Sequence, residues 1–442
     1  MTATPKIIVL DDDPTGSQTV HSCLLLARWD VETLKLGLED DAPIFFILTN
    51  TRSQPPTQAA ATTREVCHNL RLALDDSSVQ DFLVVSRSDS TLRGHYPIET
   101  DVIAEELGPF DAHFLIPAFF EGGRVTRDSI HYLHVDGKPV PVHETEFARD
   151  SVFGYRHSYL PDYVAEKTQG KIVADRVERF LLADIRAGSQ DRLSQLHGNQ
   201  CAAVDGETQA DLDRFAADLL AVAATGKRFL LRSAASILTS LAALPPQPIA
   251  PEAMAEYGRS DRPGIVLVGS HVKKTTEQLT QLLKEPGVEG VEIDVAQLIN
   301  ATEETSQALL QDAVQRIQAI YQRDRTPVIY TSRQELQFDS VETRLQFGTA
   351  VSHLLMDIVR QLPTKIRFLI SKGGITSNDV VSKGLALQSA RLLGQVLAGC
   401  SVIRTPADHP QFPNLPVVLF PGNVGDATGL AQVYRRLKRP DS

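Results

Sequence analysis

The chain has 442 residues, 42% of them hydrophobic and 22% charged, with a formal net charge of −11 and a sequence pI of about 5.6. That length and composition support sizeable cores and two or three domains. The acidity argues against nucleic acid or an anionic membrane as partner through a general positive field, although a local arginine cluster can still take a small anion.

The four cysteines, Cys23, Cys67, Cys201 and Cys400, are widely spaced and form no CxxC pair, which argues against a zinc site or a disulfide framework. No secretory leader is legible, and no apolar run approaches the ~18 residues that a bilayer requires. The expectation is a soluble cytoplasmic protein.

The first predicted strand, "KIIVLD", runs straight into two further aspartates and then Pro-Thr-Gly. A strand end that needs only a turn settles for one Asp; three adjacent like charges repel one another, and burial makes that worse. The run "DDD" therefore points to chemistry handled by carboxylates. "PIFFILTN", "DFLVVSRS" and "AHFLIPAF" follow, then "CAAVDG" and "RFLLRS", with amphipathic helices predicted over 57–74 and 208–224. Several of these strands are apolar on both faces, as in a parallel sheet covered by helices. Residues 122–162, rich in His, Arg, Gly and Asp, are the least regular and are expected to form a lid or an insertion at a site.

Residues 244–264, "LPPQPIAPEAMAEYGRSDRPG", carry five prolines and no long periodic run, and are read as a linker. It separates an N-terminal domain, 1–243, from a C-terminal domain, 265–442. The second half repeats the style with "GIVLVGS", "GVEIDV", "PVIYTS", "IRFLISKGG" and "PVVLFPGN". In 303–323, Leu310, Ala313, Val314, Ile317 and Tyr321 form one apolar helical stripe. The fold expected is α/β: two α/β domains, each a largely parallel sheet flanked by helices, with the active site in the interdomain cleft.

Ligands of open α/β sheets bind beyond the carboxyl ends of strands. In the first half those positions hold Asp11, Asp12, Asp13, Thr15 and Gly16; then Thr49, Asn50, Thr51, Arg52 and Ser53; then Ser86 through Gly94, with Arg87, Asp89, Ser90 and Arg93; then Pro117 and "FFEGGRVTRDS". Any one of these ends, taken alone, reads better as a turn or helix cap than as a site. Four together suit a polyhydroxylated anion, Arg for its carboxylate and Asp or Asn for its hydroxyls. In the second half the ends are glycine-bearing: Gly269-Ser270, Gly373-Gly374-Ile375-Thr376, and Gly422-Asn423 with Gly425. Such turns let backbone approach a phosphate. None is a P-loop or GxGxxG, and Lys273 and Lys274 read as solvated residues at a helix start. The 12 histidines show no HExxH spacing, and no metal site is assigned to them; no GxSxG elbow is present.

Together, "DDDPTG", "SRSDSTLRG", "SKGGITSND" and "FPGNVGD", in this order along most of the chain, resemble the four-carbon acid sugar kinase family. The resemblance implies an N-terminal domain for the sugar acid, a C-terminal domain for the nucleotide, and ATP-dependent phosphorylation of a small acid such as threonate, erythronate or 3-oxo-tetronate. It implies nucleotide contacts from Ser270, Gly373 to Thr376 and Gly422, to which the neighbouring Asn423 is added. It implies acid contacts from Asp12, Asp13, Arg87, Asp89 and Arg93, with Arg52 and Ser90 on the same strand-end loops. Many relatives read "ADDFTGA" where this chain has "LDDDPTGSQ", and Asn where His95 follows "STLRG". These departures lie in the substrate half and leave the identity of the acid open.

Phosphoryl transfer needs positioning, charge neutralisation and a carboxylate to take the hydroxyl proton. The expectation is Asp12 as base with Asp13 orienting, Asp89 as the next candidate, and ATP with Mg²⁺ as cofactors. A homodimer is one option for assembly. Two other classes stay open: a non-catalytic small-acid or nucleotide sensor that keeps the fold, and a hydrolase with an Asp nucleophile, which leaves the glycine turns unexplained.

Overall fold

The computed structural model describes residues 5–299, 301–333, 336, 338 and 340–439. It divides into two units, Met1–Pro246 and Gln247–Ser442. Among the described residues no helix is long and apolar enough to cross a membrane.

The first unit is built on strands β1 (Lys6–Asp11), β2 (Leu24–Leu26), β3 (Ile44–Leu48), β4 (Phe82–Arg87) and β5 (Ala112–Ile116). A small antiparallel sheet interrupts them, made of β6 (Arg124–Arg127), β7 (Ile130–Val135) and β8 (Lys138–Pro141). The chain then returns through β9 (Glu178–Phe180), β10 (Gln200–Val204) and β11 (Phe229–Ser233). The main sheet is parallel throughout, in the order β2-β3-β1-β4-β11-β5-β10-β9.

Ile7, Ile8 and Val9 are fully buried on both faces of β1, which a parallel sheet sandwiched by helices requires. Each such side chain contributes about 1.5–3 kcal/mol relative to exposure. Helix Pro56–Asp75 buries Val66, Cys67 and Leu70 against this core. Helix Gln209–Ala223 starts at Thr208, whose hydroxyl accepts from the amide of Asp211 while the Asp211 carboxylate accepts from the amide of Thr208. The strand β11 enters between β4 and β5, which brings the end of β11 beside that of β4.

The second unit holds β12 (Ile265–Val268), β13 (Val288–Ile293), β14 (Thr326–Thr331), β15 (Leu369–Lys372), β16 (Ser389–Leu397), β17 (Cys400–Arg404) and β18 (Pro416–Phe420). Their order is β13-β14-β12-β15-β18-β17-β16; β17 pairs antiparallel with both β16 and β18, and the other pairs are parallel. Helix Glu303–Gln322 buries Leu310, Ala313, Val314, Ile317 and Tyr321, the stripe expected of it. The stretch 244–264 is more than a linker. Its prolines leave room for a 3-10 turn, Pro251–Tyr257, that sinks Met254 into the core beside Val266, Phe368 and Leu430.

Candidate functional site

In the first unit the backbone ties neighbouring strand ends together. The amides of Thr49 and Asp12 donate to Asp11 O at 2.9 Å and Arg87 O at 3.2 Å, and that of Ser88 to Ser233 O at 2.8 Å. Asn50, in the left-handed region at φ 51°, turns the chain so that Arg52 faces the aspartates. Arg52 then bonds Asp12 through Nε at 3.2 Å and through Nη2, and Asp13 through Nη1 at 3.3 Å. Its Nη1 also lies 3.9 Å from Asp89 Oδ1. One guanidinium thus serves three carboxylates from two strand ends, β1 and β4.

Each aspartate of the run has a different environment. Asp11 is fully buried; its Oδ1 is 3.4 Å from Arg87 Nη1, and Oδ2 has no partner among the described residues. Burial pushes its carboxyl up to about 7, against the pull of Arg87 and with the help of Asp12 and Asp13. A Cβ on Gly16 would meet its carboxylate oxygens at 2.0 and 2.1 Å, so only glycine lets this turn close over Asp11. Asp12, 1% exposed, accepts from Ser88 Oγ at 2.6 Å besides its bonds to Arg52. The side chain of Asp13 keeps 20% exposure, and its Oδ1 accepts from the Thr15 amide at 2.8 Å. Burial pushes the Asp13 carboxyl up, but Arg52 and the Thr15 hydroxyl outweigh it and hold the group below its ordinary value.

The loop after β4 supplies the rest. Arg93 Nε bonds Asp89 Oδ2 at 2.8 Å, and the Thr91 hydroxyl donates to the same oxygen. Burial opposes ionisation of Asp89, yet Arg93 and Arg52 depress its carboxyl far below the usual range. Ser90 is buried and contributes its carbonyl to His131 at 2.8 Å. Gly94, at φ 132°, admits no side chain: a Cβ would lie 2.3 Å from Ser88 Oγ and 2.6 Å from Arg232 Nη2. Ser88, Asp89, Leu92, Arg93, Arg232 and Ser233 line a small, partly open pocket. The Ser233 hydroxyl there has no partner among the described residues.

Arg232 escaped the sequence reading. It bonds Ser86 Oγ at 2.7 Å, Ser88 Oγ at 2.8 Å and Glu99 Oε2 at 2.6 Å. The only signal was the Arg in "RFLLRS", and nothing local ties it to Glu99, 133 positions away.

In the second unit three strand ends converge. A Cβ on Gly269, after β12, would lie 2.2 Å from Thr376 Oγ1. Gly373, after β15, sits at φ 122°, and a Cβ there would lie 3.1 Å from both Ser270 Cβ and Thr376 Oγ1. A Cβ on Gly422, after β18, would be 3.6 Å from Ser270 Oγ. Ser270, Gly373, Thr376 and Gly422 are therefore brought together, with hydroxyls and bare backbone facing one spot. Ile375 beside them is 73% exposed. Asn423 accepts from Lys274 Nζ through its carbonyl at 3.3 Å. Lys274 and Lys273 are exposed at the start of helix Lys273–Leu282.

Two basic residues here were not foreseen. Arg333 Nη2 bonds Ser270 O at 2.6 Å and Thr276 Oγ1 at 2.9 Å. Lys372, fully buried at the end of β15, donates through Nζ to Pro421 O at 2.5 Å and Gly422 O at 3.1 Å. Its ammonium lies 4.0 Å over the ring of Phe420, and burial lowers its pKa to about 7. No group of three or more His, Cys, Asp or Glu able to hold a metal ion occurs among the described residues.

Residues 7–241 match a family model described as a sugar-binding N-terminal domain, and residues 265–430 one described as a nucleotide-binding C-terminal domain. A D-erythronate kinase of Heliobacterium modesticaldum is 28% identical over 225 residues, 48% of this chain and 47% of that protein. A D-threonate kinase of Salmonella typhimurium is 26% identical over 445 residues, 96% of each chain. The matched stretch thus spans about half of the first relative's length and nearly all of the second's. The solved structure of a Haemophilus influenzae protein superposes with a TM-score of 0.65 at 16% identity, covering 97% of this chain and all of that one, and shares the fold.

Proposed function

The chain belongs to the four-carbon acid sugar kinase family, and on that footing we propose that it phosphorylates a hydroxyl of a four-carbon sugar acid with ATP. The observation that carries this reading is Arg52 at the shared centre of Asp12, Asp13 and Asp89. Such an array of carboxylates gathered around one cation matches the hydroxyls of a polyol acid. Arg93 in the same loop supplies a fork for the acid's carboxylate. The D-threonate and D-erythronate kinases among its relatives support the substrate class.

In this reading ATP, bound as its magnesium complex, lies with its phosphates against Gly269, Ser270, Gly373 and Thr376. The acid's hydroxyl oxygen bonds to the γ-phosphorus, the bond from that phosphorus to the β–γ bridging oxygen breaks, and ADP leaves. The hydroxyl proton passes to a carboxylate. Asp12 was the expectation for that base, but its near-complete burial and its bonds to Arg52 and Ser88 favour an orienting role. Asp13, with exposed surface and an Oδ2 that accepts from Arg52 at the longer distance of 3.3 Å, is the better-placed acceptor.

The test is ADP release by the purified protein with D-threonate, D-erythronate and their oxo forms. Stimulation by at least one acid supports the reading. ATP binding with no acid-stimulated turnover would favour a sensor that keeps the fold.

A further inference from the structure

The least regular part of the first unit has a defined relation to the loop that carries Asp89 and Arg93. That loop is conformationally unusual. Leu92 has φ 65° and Gly94 φ 132°. A buried non-glycine residue in the left-handed region persists only where its surroundings over-determine it. Here they do. Three successive carbonyls each accept from a side chain. Ser90 O accepts from His131 Nε2 at 2.8 Å, Thr91 O from the Tyr155 hydroxyl at 2.7 Å and Leu92 O from the Tyr163 hydroxyl at 2.9 Å.

The three donors come from one stretch, 131–163. All three are buried. Burial pushes the His131 imidazolium down to about 4, and its Nδ1 lies 2.9 Å from Thr126 Oγ1, so the neutral ring carries its proton on Nε2 and donates it to Ser90. Burial raises both tyrosines, so they stay protonated donors. The Leu92 side chain packs into a core made with Val142, Tyr155, Leu160 and Tyr163. The same stretch reaches the Arg93 head directly: the Phe147 ring lies 4.9 Å from its Cζ, and Asp150 Oδ2 is 3.9 Å from its Nη1.

We propose that the segment 122–167 sets the geometry of the acid-binding loop, with His131, Tyr155 and Tyr163 as positioning residues that act through the carbonyls of Ser90, Thr91 and Leu92. This rests on the reading of Asp89 and Arg93 as acid-binding groups. The segment thereby decides where the bonded Arg93–Asp89 pair is held at the site.

The experiment measures KM for the best four-carbon acid and for ATP, with thermal melts, in Tyr155→Phe, Tyr163→Phe, the double variant, His131→Leu, His131→Gln and Arg93→Lys. The double Tyr variant and His131→Leu should raise the acid KM about tenfold, each losing donors to buried carbonyls, and leave the ATP KM within about twofold. His131→Gln, whose amide can donate to the same carbonyl, should restore most of the loss. A lowered melting temperature with an unchanged acid KM, or equal shifts in both KM values, would overturn the positioning role. Should the double variant fail to fold, the single Tyr variants and the Leu–Gln pair at His131 give the same discrimination. Arg93→Lys separates the two layers. If it raises the acid KM while the Tyr and His variants do not, only the positioning role falls. If it leaves the acid KM unchanged, the acid-site reading falls and takes the positioning role with it.

Discussion

Arg52 holds Asp12 by two points, Nε on Oδ2 at 3.2 Å and Nη2 on Oδ1, while its remaining nitrogen serves Asp13. Both partners of the pair are largely buried, with side-chain exposures of 18% and 2%. Removing one partner of such a pair strands the other charge, at about 3–5 kcal/mol. Arg52→Met should therefore lose about that much stability, and denaturant unfolding will read it. Asp12→Asn keeps the shape and one acceptor and should lose less. Equal losses would show that charge is not what Arg52 supplies.

Asp13 differs from Asp12 in its access to solvent, and the proposal gives it the proton. Asp13→Asn should lower kcat by about 10²-fold or more, as expected for loss of a general base. The fold should stay intact, with only a modest fall in melting temperature from the lost ion pair with Arg52. If Asp12→Asn instead produces the larger fall in kcat with the fold intact, the base is Asp12.

Asp11 makes stability depend on pH in a sense opposite to most carboxylates. Its folded pKa, about 7, lies above the ordinary 3.8. Between those values the folded protein holds a proton on Asp11 that the unfolded chain has released. Stability from this group therefore falls as pH rises across that window. Asp13 and Asp89, both depressed, act the other way and lose their contribution only as pH falls through their folded values. Asp11→Asn should remove the decline between pH 3.8 and 7. Melts of both proteins across that range check it; parallel curves would mean that Asp11 is ionised in the folded state at neutral pH.

The sequence made the parallel strands of both units legible because each is a short apolar run that stops at a polar cluster. It could not show that β11 threads between β4 and β5, since that depends on pairing far along the chain, so Arg232 and Glu99 stayed invisible as a pair. The strands β6 to β8, "RVTR", "IHYLHV" and "KPVP", mix Arg, His and Lys with apolar residues and hold no long apolar run, which hides them. Nothing local in "SKGG" marks Lys372 as buried; its burial follows from β15 lying between β12 and β18, a tertiary fact.

Gly373 combines a positive φ with close neighbours. At φ 122° and ψ 140° the backbone lies in a region essentially confined to glycine, so alanine there faces about 1–3 kcal/mol of strain and contacts of 3.1 Å to Ser270 and Thr376. Gly373→Ala should raise the ATP KM about tenfold and leave acid affinity unchanged. Calorimetry with a non-hydrolysable ATP analogue separates this from a kinetic effect. Unchanged nucleotide affinity would make the turn purely structural.

Lys372 joins the glycine turn after β15 to the one after β18. Its amine donates to Pro421 O at 2.5 Å and to Gly422 O at 3.1 Å, the latter also accepting from the Thr275 hydroxyl at 3.5 Å. Lys372→Met keeps the length and apolar stem but leaves these carbonyls short of a donor, at about 1–3 kcal/mol. Gly422 should then shift against Ser270, and the ATP KM should rise while the acid KM stays put. The pH dependence gives a second, independent reading. Because burial lowers the folded pKa from 10.5 to about 7, the unfolded chain holds a proton across that window that the folded protein has shed. Stability from this group therefore rises with pH from about 7 to 10.5, and Lys372→Met should abolish the rise. If the variant keeps both the slope and the ATP KM of the parent, the amine neither titrates in the interior nor orders the turn that Gly422 belongs to.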